Sequence, residues 1–119
     1  MNRYWPQVPE VLYHYTCAEH GHPAIFGSGT LRTGRDGLIW LTDLPEPNRG
    51  ALGLTRVSLD CDRGAVRYRV DNTANVVSWM EFRQQVPVDI RDLLETFPDA
   101  MPRHWFVSWQ DLTAQHDPI

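Results

Sequence analysis

Hydrophobic and polar positions change period several times along the chain, and each change predicts an element. VLYHYT, Val11 to Thr16, has the aliphatic, aromatic and β-branched composition of a short buried strand. Cys17 to Phe26 predicts a short helix, with Thr16 as N-cap, Glu19 completing a capping box, and Gly27 and Gly29 at the exit. Pro23 inside that stretch predicts a break or a late start. TLRTG and a turn at RDG lead to a second strand, Leu38 to Thr42, and DLPEPNRGALG reads as loop. Leu54 to Leu59 and Ala65 to Val70 predict two strands around the turn DCDRG. In the second, Val66, Tyr68 and Val70 alternate with Arg67 and Arg69, as in a sheet with one wet face.

Asn75 to Arg83 predicts a short helix. Val88 to Phe97 predicts a firmer one, burying Val88 or Ile90, Leu93, Leu94 and Phe97 along one face and ended by Pro98 and Pro102. HWFVSW, His104 to Trp109, reads as a last, aromatic strand, and Trp79, Trp105, Phe106 and Trp109 as core. Residues 1–10 form a proline-containing leader, and residues 112–119 a tail expected to fray. Strands outnumber helices without regular βα alternation. The expectation is one small α+β domain over residues 1–119, with two or three short helices, rather than a doubly wound sheet.

Composition adds limits. With 119 residues, 42% hydrophobic and 22% charged, the chain reads as an ordinary globular domain with no apolar run of membrane-spanning length and no signal-peptide pattern, which predicts a cytoplasmic protein and no membrane partner. Cys17 and Cys61 are too few for a disulfide framework and read as free thiols. The net charge of -4 argues against a coat for nucleic acid, although Arg63, Arg67 and Arg69 lie close together. All 11 basic residues are arginine, and this lysine-free composition fits a GC-rich actinobacterial or phage genome.

His14 is the candidate for chemistry. Strand alternation sets Leu12, His14 and Thr16 on one face and Tyr13 and Tyr15 on the other. The ring is either a hydrogen-bonded core histidine or a group facing a cleft and holding a ligand hydroxyl. His14, Cys17, His20 and His22 crowd together but lack zinc-site spacing, so no metal is expected. Cys17 with His14 or His20 as base has no third orienting residue, G-x-S-x-G is absent, and a phosphate loop is excluded for want of lysine.

LYHYT and GLIWLTD, separated by a short helix and GTLRTG, together resemble the opening of the ADP-ribosyltransferase-like superfamily, with GLIWLTD similar to a strand of its poly(ADP-ribose) polymerase branch. The skeleton is shared more loosely with RNA 2'-phosphotransferases, and HWFVSW resembles the late strand of the polymerase branch. The resemblance runs from about Val11 to Trp109 on short motifs. It implies an ADP-ribosyltransferase-like fold, a small mixed or antiparallel split sheet with two or three short helices, and an NAD-using transferase that modifies a host protein or nucleic acid. His14 would bond a ribose hydroxyl, Thr16 would support the site, and the Tyr15 backbone would grip the nicotinamide carboxamide. Trp40 and Thr42 would line the pocket.

Two family positions depart. The tyrosine that stacks on nicotinamide has no counterpart in PEPNRGALGL, where Arg49 is the candidate replacement. The glutamate entering the late strand aligns with His104 or Arg103, with Glu81, Gln110 and Asp111 the nearest substitutes; His14, His104 and Glu81 are the catalytic candidates. Losing that carboxylate removes a group that offsets positive charge at the anomeric carbon. The resemblance therefore also admits a phosphotransferase-like activity through His14, Arg49 and His104, and a noncatalytic module that binds a partner protein.

Overall fold

The computed structural model describes residues 7–34, 37–46, 62–96 and 99–118. These form β1 (Leu12–Thr16), α1 (Gly21–Phe26), β2 (Thr30–Leu31), β3 (Ile39–Thr42), β4 (Val66–Val70) and β5 (Val77–Ser78). There follow α2 (Trp79–Phe82), α3 (Val88–Glu95), β6 (Trp105–Ser108), β7 (Leu112–Thr113) and β8 (Gln115–His116), with 3-10 turns at Arg83–Gln85 and Pro102–His104. Six strands make one sheet in the order β5-β6-β3-β1-β4-β8, and β2 pairs with β7 in a second. Every pairing among the described residues is antiparallel, and the chain is an α+β fold with few short helices. No helix among them is long and apolar enough to cross a membrane.

Directly opposed residues share a face of a sheet, so the register sorts the side chains into two layers. Leu12, Ile39, Leu41, Tyr68, Val70 and Phe106 project to one side, where Ile25 of α1 and Leu31 and Leu112 of the small sheet complete a core. Trp105, Val107, Trp40 and Val77 project to the other, where Trp79, Met80, Phe82 and Leu94 cover them. The wet face expected for β4 carries Arg67, whose guanidinium lies over the Tyr13 ring and pairs with Asp117.

The sheet is unevenly laced. β1 pairs with β4 along its whole length, Leu12↔Val70 to Thr16↔Val66, and β3 with β6 along its whole length, Ile39↔Ser108 to Thr42↔Trp105. Between β1 and β3, in the middle of the sheet, the pairing is confined to Tyr13↔Thr42. The β1–β4 and β3–β6 ladders are thus complete, and the seam between them is not.

Several expectations change. The first helix starts only at Gly21, capped by His20 without a side-chain bond, so the box of Thr16 and Glu19 does not form. Pro23 falls in the first turn, where a missing N–H costs nothing, and an earlier start would carry it into the interior. Asn75 to Arg83 is not one helix: Val77 pairs with Val107, and Ser78, extended, accepts a bond from the Glu81 N–H and starts α2. Residues 112–116 do not fray. β8 pairs with β4, β7 pairs with β2, Ala114 N–H donates to Gly29 O at 2.9 Å, and Arg67 holds the Asp117 and Pro118 carbonyls. Trp109 lies just past β6, 52% exposed and stacked on Phe82 rather than in the core. The expected strand Leu54 to Leu59, Arg49, Cys61 and Phe97 lie outside the described residues.

α3 departs most from its pattern. Val88, Ile90 and Leu93 are 57%, 47% and 61% exposed, and among the described residues of the expected stripe Leu94 alone joins the second core. The helix is fastened at its end instead. Glu95 accepts from the Trp79 indole N–H at 2.5 Å and from Arg83 Nε and Nη2 at 2.8 and 3.0 Å. Burial opposes the charge on Glu95, but the bonds from Arg83 and Trp79 outweigh it and hold its pKa below the ordinary carboxyl value. Bidentate, partly buried bonds of this kind are the strong ones. Glu95→Gln should cost about 1–3 kcal/mol in urea unfolding followed by tryptophan fluorescence. With the native pKa lowered, the carboxylate's contribution is whole above about pH 4.3 and is lost as the pH falls toward the lowered value. Stability between pH 5 and 3 should accordingly decline less in the variant than in the wild type.

Candidate functional site

His14 stands at the seam. Its Nδ1 lies 2.8 Å from the Trp40 carbonyl oxygen on β3, the strand that its own strand barely pairs with. A carbonyl can only accept, so Nδ1 carries the hydrogen and donates. Burial lowers the ring's pKa below the ordinary histidine value, against the smaller raising pull of the Trp40 carbonyl. The ring is therefore a neutral imidazole at pH 7 in a fixed tautomer, and its Nε2 presents a lone pair. No residue among those described hydrogen-bonds that nitrogen. It can accept from a hydroxyl or an amide, and it cannot donate to a phosphate.

Around His14 the predicted residues divide between the two faces. Thr16 shares its face, but α1 closes over it: a Cβ on Gly21 would stand 1.6 Å from Thr16 Oγ1 and 2.8 Å from its Cβ. The Tyr15 side chain points the other way, 9% exposed, and its hydroxyl donates to Leu44 O at 2.9 Å. Burial raises its pKa, opposed by a bond and charge from Arg67. Trp40 packs its indole into the second core, 5.1 Å from Trp79 and 6.0 Å from Trp105 between ring centroids. Thr42 is buried and its Oγ1 accepts from Leu44 N at 3.2 Å. Only the backbones of Tyr15 and Trp40 therefore stand at the seam with His14.

His104 and Glu81 fall elsewhere. Glu81 sits in the first turn of α2, which packs with β5 and β6 over the second core. His104 immediately precedes β6, at the end of the sheet where β3 finishes. Its Nδ1 donates to Asp43 Oδ1 at 2.7 Å, and both side chains are about one third exposed, 33% and 32%. Asp43 is the residue that sequence reasoning passed over. The signal was its place directly after the strand Leu38 to Thr42, but nothing in the one-dimensional chain shows that β6 begins beside it.

The histidines near His14 in sequence scatter. His20 is exposed, Cys17 is buried, and His22 shares a 2.6 Å hydrogen bond with the Tyr68 hydroxyl while its ring lies 4.8 Å from that of His116. Among the described residues no three His, Cys, Asp or Glu side chains gather to hold a metal ion. No protein-family model, no curated protein and no solved structure matches the chain.

Two measurements check this geometry. Gly21→Ala should cost about 1–3 kcal/mol, read as a lower urea midpoint, because the added methyl meets the Thr16 Cβ whatever rotamer that side chain takes. The second concerns pH. With the folded pKa of His14 lowered, the unfolded chain takes up the proton first as pH falls. This contribution is whole above about pH 6.5 and is lost below it toward the lowered value. The midpoint should drop more between pH 7.5 and 5.5 in the wild type than in His14→Gln; equal drops would mean that the ring is not held neutral.

Proposed function

We propose that the chain is an NAD-using enzyme of ADP-ribosyltransferase type with an atypical site, in which His14 accepts a hydrogen bond from a ribose hydroxyl. One observation carries the reading: His14 donates from Nδ1 to a neighbouring strand across an incompletely paired seam, and so presents a neutral acceptor. A sugar hydroxyl is a donor of the required kind, and a ring bonded to backbone is a rigid place to hold one. In this reading the Tyr15 backbone grips the carboxamide, His104 stands where the family has its glutamate, and Thr16, closed over by α1, touches no ligand. Glu81 has no part in it.

A second reading has its own observation. Val88, Ile90 and Leu93 on α3 are apolar and exposed, which suits a noncatalytic module that docks on a partner protein. The two readings differ in what they do with NAD. In a thermal-shift series, NAD at about 100 times its Kd should add about 2.7 kcal/mol of stability. His14→Ala should weaken NAD binding about tenfold, or about 1.4 kcal/mol, read as the NAD-induced shift from the variant's own unliganded Tm, which loss of the bond to Trp40 lowers. If the wild type is not stabilised by NAD, by nicotinamide or by phosphorylated RNA ends, the enzymatic reading is wrong. Capture of a defined protein partner, lost on Leu93→Asp and kept on His14→Ala, would then support docking.

A further inference from the structure

The pair at the end of the sheet has the geometry of a base and its orienting carboxylate. We propose that His104 takes the proton of the attacking nucleophile and that Asp43 is the positioning residue that aims it; this rests on the reading of the chain as an NAD-cleaving enzyme. His104 donates from Nδ1 to Asp43 at 2.7 Å, so its Nε2 is the basic nitrogen, and no residue among those described hydrogen-bonds it. The juxtaposition is built into the ladder. Thr42 and Trp105 are buried and directly paired, which sets the residue after β3 beside the residue before β6. Each partner is also braced from its other side. Thr42 Oγ1 accepts from Leu44 N, holding the backbone around Asp43, and His104 N–H donates to Met101 O at 2.9 Å within its 3-10 turn.

The pair is not needed to close the sheet, because β3 and β6 are laced along their full length without it. As a partly exposed hydrogen-bonded pair it contributes little stability. As a dyad it has a function. His104 and His14 lie on either side of β3, two strand spacings or roughly 10 Å apart across the sheet and offset by two residues along it.

The chemistry balances. The C–N bond between nicotinamide and ribose breaks, and nicotinamide leaves neutral with the electron pair. An O–H nucleophile, water or an acceptor hydroxyl, forms the new C–O bond to the anomeric carbon. Its proton passes to His104 Nε2. The imidazolium so formed faces the Asp43 carboxylate and later gives the proton to solvent. Asp43 also secures the tautomer, since a carboxylate accepts from Nδ1–H and cannot donate to a bare Nδ1.

The test uses the full chain, NAD as probe and water as acceptor, with nicotinamide release as the readout. His104→Ala should lower kcat by about 10²-fold or more with KM within about twofold, and added imidazole should restore part of the rate. Asp43→Asn should lower kcat at least about tenfold. It should also move the neutral ring hydrogen of His104 from Nδ1 toward Nε2 in ¹⁵N NMR, a change that a merely structural pair would not couple to rate. Both variants should keep the wild-type Tm and the stabilisation by NAD. If NAD does not stabilise the wild type, the underlying reading fails. Should NAD bind and be cleaved equally by wild type and both variants, or bind without being cleaved, the dyad is overturned while the binding site stands. A wild-type His104 carrying its neutral hydrogen on Nε2 would overturn it as well.

Discussion

The bond from His14 Nδ1 to the Trp40 carbonyl crosses the sheet where its lacing is thinnest. On one side β1 and β4 are paired along their length, and on the other β3 and β6 are, while the two halves meet at Tyr13↔Thr42. A ring hydrogen bond therefore stands where a backbone ladder would ordinarily run, and it determines the direction in which the imidazole presents its remaining nitrogen. Hydrophobic packing holds the halves together on the first face, because Leu12, Tyr68 and Val70 from one half and Ile39, Leu41 and Phe106 from the other share a single core. The seam is open in its hydrogen bonding but closed in its packing. A site there is rigid without being filled by backbone.

The two faces are built differently. The first is closed by α1 and the small sheet over an aliphatic and tyrosine core, and the approach of α1 is tight enough that Thr16 meets the Gly21 backbone directly. The second is an aromatic core of Trp40, Trp79 and Trp105, whose cover is a four-residue helix, a 3-10 turn and α3. Trp79 and Trp105 are nonetheless buried beneath it. The clip of Glu95 with Arg83 and Trp79 fastens α3 by directed bonds, and Val88, Ile90 and Leu93 stay turned outward.

His14 and His104 are alike in one respect. Each donates from Nδ1 to an oxygen held by a strand end or a neighbouring strand, and no described residue hydrogen-bonds either Nε2. They differ in the acceptor. A peptide carbonyl beside a desolvated ring favours a neutral hydrogen-bond acceptor, suited to binding. A carboxylate at the sheet's end fixes the ring's tautomer and orientation, as the proposed proton transfer requires. The division of labour proposed for them follows from those two environments.

Much of this was legible in the sequence. The strands at residues 12–16, 39–42, 66–70 and 105–108 declare themselves by period and by β-branched and aromatic content, and the late start of α1 by Pro23. His14 stood out because it interrupts an otherwise apolar strand. Other features were not legible, for reasons of long-range contact. Residues 112–116 look like a polar tail, and they are ordered because Arg67 and the edge of β4 receive them from some 50 positions away. The stripe on α3 looks like a buried face because amphipathicity reports what could be covered, not what arrives to cover it. By itself, the sequence determined the local periods, the α+β class and the histidine worth asking about. Only the tertiary structure decided that β1 and β3 meet at a seam, that Trp40 offers His14 its carbonyl while turning its ring away, and that Asp43 lies beside His104. Strand pairing is a contact between distant segments, and no local pattern encodes its register.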